Sequence, residues 1–68
     1  MSEQTIKDKV ISVIKGVKTP GVSTSEVARK AGVAWETAGK YLHELKNEKK
    51  VNSGEVGGTT TWWWVGGN

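Results

Sequence analysis

Within nine residues, Trp35, Glu36, Thr37, Lys40 and His43 bring together an indole, a carboxylate, a hydroxyl, an ammonium and an imidazole. None of them forms a nucleophile–base set. The chain has one histidine, no cysteine, no phosphate-binding loop and no paired carboxylates at useful spacing. Enzyme activity, a metal site and a cofactor are therefore not expected. What this group can do is read hydrogen-bonding edges. Lys40 can donate to guanine or to a phosphate, Thr37 can donate, accept or touch a thymine methyl, and Glu36 can accept from a cytosine amino group.

Such side chains need a rigid element to present them, and the spacing of apolar residues supplies one. Ala38, Tyr41, Leu42 and Leu45 fall on one face of a helix expected over about 35–48, which turns the candidate residues outward. Val27, Ala28 and Ala31 precede Gly32, and Val33 follows it. Small residues at positions 28, 31 and 38 allow two helices to cross steeply, and Gly32 suits the left-handed residue that ends the first of them. A helix over about 23–31 opens on Ser23-Thr24-Ser25-Glu26, which has the spacing of a capping box. Ala34 stands at the next N-cap, where Ser, Thr, Asp or Asn is usual.

Ile6, Val10, Val13, Ile14 and Val17 form one apolar stripe, so a first helix is expected over about 5–17, ended by Thr19-Pro20-Gly21. Val22 is a candidate for a very short strand. After the third helix, strands at about 49–53 and 59–65 flank a glycine-containing tip and form a hairpin. The ends, at about 1–3 and 66–68, are expected to fray. The 68 residues make one small domain in which every large apolar side chain is needed.

Ten Lys and Arg against seven Asp and Glu give a net charge of +3, and the sequence pI is about 9.4. That balance permits a polyanionic partner without requiring one. Arg29, Lys30, Lys49 and Lys50 are the candidate phosphate neutralisers, joined by Thr24 and Ser25 at a helix start, where hydroxyls and backbone donors suit a phosphate. Simple capping is the competing role for those two. The longest apolar run, Trp62-Trp63-Trp64-Val65, is far too short for a membrane span, and no signal peptide is visible at Met1-Ser2-Glu3-Gln4. A soluble, cytoplasmic protein is expected.

The order helix, short strand, helix, turn, helix and β-hairpin resembles the winged helix-turn-helix domain. The segment Gly32–Val51, GVAWETAGKYLHELKNEKKV, is similar to the recognition helix and first wing strand of many bacterial and archaeal transcription regulators. Leu42 and Leu45 match their leucine pair, and Val51 matches their aliphatic strand residue. The resemblance implies an α+β fold and a double-stranded-DNA-binding regulator that reads the major groove with its third helix. Left-handed (Z-form) nucleic-acid-binding relatives of this fold also carry a tryptophan on the last wing strand. The chain departs from their pattern, with Gly39 and His43 where they carry Asn and Tyr, and Thr60-Thr61 where they carry a proline pair.

Several residues admit two readings. Glu36 can select sequence or favour the helix dipole. Gly39 costs about 1 kcal/mol relative to Ala inside a helix, which either close approach to DNA or a close helix crossing would explain. Trp35 can pack on the second helix or the wing, touch a nucleic acid, or meet a partner protein. Strand alternation separates Trp63 from Trp62 and Trp64. Placing Trp63 and Val65 in the core exposes Trp62 and Trp64, which become candidates for a protein partner, a weak homodimer or stacking on unpaired bases. A register shifted by one residue would bury them instead. The competing functions are thus a protein-interaction module and an architectural or single-stranded nucleic-acid binder.

Overall fold

The computed structural model describes residues 3–66. Three helices and three strands follow in the order α1 (Glu3–Ile14), β1 (Val22–Ser23), α2 (Thr24–Ala31), α3 (Trp35–Asn47), β2 (Val51–Val56) and β3 (Thr59–Trp64). The strands form an antiparallel sheet in the order β1-β3-β2. This is the winged-helix fold expected from the order of elements. Of the ends expected to fray, residues 1–2 and 67–68 lie outside the described residues. Glu3 begins α1, and the Gly66 N–H donates to the Lys50 carbonyl.

The α2–α3 unit closes as its small residues allow. Ala28, Ala31 and Ala38 are all buried at the crossing, beside Val27, Leu42 and Leu45. Ser23 caps α2, its Oγ accepting from the Glu26 N–H at 3.2 Å. The Glu26 carboxylate pairs with Arg29 and Lys30. Gly32, with φ +71°, ends α2, and the Val33 N–H reaches back to the Ala28 carbonyl. The end of α3 repeats this motif without a glycine. Lys49 takes φ +64°, and the Lys50 N–H donates to the Leu45 carbonyl.

α1 stops at Ile14 rather than Val17. The Val17 N–H bonds to Ile14, and its carbonyl accepts from the Trp64 N–H at 3.0 Å, so the sheet claims the group that a longer helix would use. The hairpin also differs from expectation. Its strands run to Val56 and from Thr59 around a two-residue turn, Gly57-Gly58, with φ +58° and +82°. Positive φ at both turn positions suits the twist of a tight hairpin. Gly54, expected in the flexible tip, lies inside β2. A Cβ there would come within 3.1 Å of the Trp63 ring, so the indole lies across a position that has no side chain.

The wing tryptophans face opposite to the expected way. Trp62 is only 2% exposed and belongs to the core, and Trp64 is half-buried against it. Trp63 is half-buried on the other face of the sheet, and Val65 is 51% exposed. The register explains the reversal. Val51, buried under the helices, pairs with Trp64, whereas exposed Asn52 pairs with Trp63. Directly opposed residues share a face, so Trp64 and Trp62 follow Val51 inward.

Candidate nucleic-acid interface

The site begins at the burial of Trp62. Its indole Nε1–H needs an acceptor in the core, and Thr24 Oγ1 provides one at 2.8 Å. Thr24 is therefore itself buried at the groove wall, its oxygen accepting from the indole, which leaves little surface for the phosphate contact expected of it. The bond fixes the start of α2 to the middle of β3. Ser25, the next residue, is exposed.

On the other side, α3 presents His43 to the same indole. The ring centroids lie 5.0 Å apart at 87°, an edge-to-face contact. Trp35, Gly39 and His43 recur at intervals of four along α3, so they line one flank of the helix, about 12 Å from first to last. That flank, the start of α2 and the wing enclose an open groove of about 330 Å³. Trp35 is 60% exposed at its edge, facing the start of α2 and the wing across the groove rather than buried against either. Ser25, Ser53, Thr59 and Thr60 supply hydroxyls, and among the described residues no Lys, Arg, Asp or Glu lines the groove.

Of the expected set, the groove joins Thr24, Ser25, Trp35 and His43, with the buried Trp62 at its floor. Glu36 and Lys40 are exposed on α3 beside it, and Lys40 sits over the Tyr41 ring at 5.4 Å. Thr37 is half-buried and lies off the groove, on the far side of the helix from Gly39. The basic residues expected to neutralise phosphates do not converge there, although Lys46 donates to Ser53 Oγ of the groove wall at 2.8 Å. Arg29 and Lys30 are exposed on α2, 2.7 and 3.4 Å from Glu26, whose carboxyl is held below its usual range by the hydrogen bond from Arg29. Lys49 lines a separate depression with Lys46, Asn52 and Val65, and Lys50 lies 3.7 Å from Glu48. Glu48 is held low chiefly by a hydrogen bond from Lys7, whose own pKa is raised by the same contact. Trp62, as a core residue, is no interface candidate, and Trp64 offers only its half-exposed edge.

Ser53, Thr59 and Thr60 were missed by the sequence reading. The hydroxyl run Thr59-Thr60-Thr61 was the available signal, but only the hairpin register brings Thr59 and Thr60 to the groove. Among the described residues, no group of His, Cys, Asp or Glu could hold a metal ion, and no helix is long and apolar enough to cross a membrane.

Comparison with known proteins supports the architecture. The chain is similar to the Zalpha domain of Carassius auratus PKZ, crystallised in complex with Z-DNA, with a TM-score of 0.74. The match covers 96% of this chain and 100% of that one at 15% identity, so what the two share is the fold. No curated protein sequence matches the chain. The model of one family, described as FaeA-like protein, matches residues 6–67. That match takes in all three helices but for the first residues of α1, and the whole sheet: the chain belongs to the FaeA-like protein family.

Proposed function

We propose that this protein binds double-stranded DNA as a small cytoplasmic transcription regulator, with α3 in the major groove. The observation that carries the reading is the outward face of α3. Glu36, Lys40 and His43 are exposed there, while Ala38, Tyr41, Leu42 and Leu45 anchor the opposite face. A helix held this way keeps its polar residues in fixed positions for base edges and phosphates. Burial of Trp62 takes one of the wing tryptophans out of the aromatic surface that favoured a protein partner or stacking on single strands, leaving Trp35 exposed and Trp63 and Trp64 half-buried. Lys40, Lys49 and Lys50 with Arg29 and Lys30 allow about 3–5 effective phosphate contacts, hence a moderate salt dependence.

A second reading is favoured by the arrangement shared with the Z-DNA-bound domain, here with an edge contact between α3 and the wing at His43 and Trp62. In it the bound duplex is left-handed. An NMR titration with a short mixed-sequence duplex tests the main reading. Shifts at positions 36, 40 and 43 of α3 that weaken with salt are expected. Shifts confined to α1, or none, would overturn it. Inversion of the circular dichroism of an alternating dC-dG duplex by the protein would select the second reading.

A further inference from the structure

Gly39 occupies the middle of α3, where glycine is among the least favourable residues. Neither backbone nor packing requires it. It lies among residues of ordinary helical conformation, outside the set with positive φ. A Cβ built on it would meet only the Thr24 Cγ2, at 3.8 Å, an ordinary van der Waals contact. The helix crossing therefore has room for alanine. The vacancy that this glycine leaves opens into the groove between Trp35 and His43.

We infer that Gly39 is a strand-seating residue, whose missing side chain lets one sugar–phosphate strand of the bound duplex seat against the helix backbone. The inference rests on the DNA-binding reading above and adds the position of the strand. The chemistry of the walls supports a strand rather than base edges. Ser25 and Thr60 can donate to phosphate oxygens, and the Trp35 and His43 rings offer apolar surface to sugars. Among the described residues, the lining contains no carboxylate to repel the phosphates and no guanidinium or side-chain amide to form paired bonds with a base. With a strand held here, Glu36 and Lys40 on the outer face of α3 point into the adjacent major groove.

Gly39→Ala and Gly39→Leu test this, with binding to a 16-base-pair duplex followed by fluorescence anisotropy and folding by thermal melting. Gly39→Ala should raise the melting temperature by about 4–8 °C, as restored helix propensity in a domain of this size predicts. It should also weaken duplex binding several-fold, and Gly39→Leu by more than tenfold with the fold intact. Higher thermal stability with binding unchanged in both variants would overturn the inference while leaving duplex binding in place. Failure of the wild-type protein to bind the duplex would overturn the DNA-binding reading, and this inference with it. Weakened binding together with a lowered melting temperature in Gly39→Ala would also overturn it, because the glycine would then serve packing.

Discussion

His43 stands nearly perpendicular to Trp62, an exposed imidazole on α3 set against the indole that anchors β3. The same indole donates to Thr24 at the start of α2. One buried ring thus holds three walls of the groove at fixed spacing, so damage to it should reach binding and stability together.

Trp62→Ala should cost about 3–5 kcal/mol, a large share of what a domain this small possesses. Trp63→Ala, on the outer face, should cost clearly less. Urea denaturation followed by circular dichroism measures both. Equal costs would contradict the assignment of Trp62 alone to the core.

Thr24→Val keeps the shape of the side chain and removes the acceptor for Trp62 Nε1–H. A buried donor left unpaired costs about 1–3 kcal/mol. Thr24→Ser, which retains the oxygen, should recover most of that loss. If valine and serine behave alike in the same urea experiment, the bond contributes nothing.

Lys49→Gly should raise stability and lower affinity. Lysine is held at φ +64°, a conformation in which glycine carries no steric penalty, so relief of about 0.5–1 kcal/mol is expected. Loss of the ammonium should reduce the slope of log affinity against log salt by about 1. An unchanged slope in anisotropy titrations would remove Lys49 from the phosphate contacts.

Lys40→Ala should weaken duplex binding by about 1–3 kcal/mol if Lys40 reads a base edge, and by a smaller, sequence-independent amount if it holds a phosphate. Comparing two unrelated duplexes distinguishes the cases. Wild-type affinity for both would leave α3 without its central donor and end the major-groove reading.

Stability should decline in acid. The carboxyls of Glu48 and Glu26 are held below their usual range by Lys7 and Arg29. A depressed carboxylate contributes stability that is complete above its unfolded pKa, about 4.3, and is lost as pH falls through the folded value. Lys7, raised by Glu48, contributes below its unfolded value and loses that contribution as pH rises through the folded one. The pairs are exposed and screened, so the changes are small. Thermal melts across the acid range should show a shallower decline for Glu48→Gln than for the wild type, and identical declines would refute the linkage.

Much of this arrangement was legible in the sequence. The apolar periods of the three helices, the Ser23 cap, the Gly32 turn and the hairpin all follow from local rules, and the exposed residues of α3 follow from its period. What local rules could not supply was the facing of β3. Thr59 through Val65 contains no polar–apolar alternation, so either register satisfies it, and only pairing with Val51 and Val22 decides. Gly54 misled for a related reason. A glycine beneath a cross-strand indole cannot be told from a turn glycine until the partner strand is known. The groove depends on the same pairing, which is why its hydroxyl wall was missed.

The central position of β3 bears on how the molecule folds. This strand pairs with β1 and β2, bonds to Val17 after α1, and accommodates Thr24 of α2 across 38 positions of sequence. α2 and α3 pack on neighbouring residues, but the anchor they share is distant along the chain, so a long loop must close before the domain is complete. Folding should therefore be slower than for a helical bundle of equal length, with no half-formed helix-turn-helix persisting on its own. By the same coupling, a ligand that clamps α3 to the wing should slow amide hydrogen exchange throughout the domain, even in α1 on the far side.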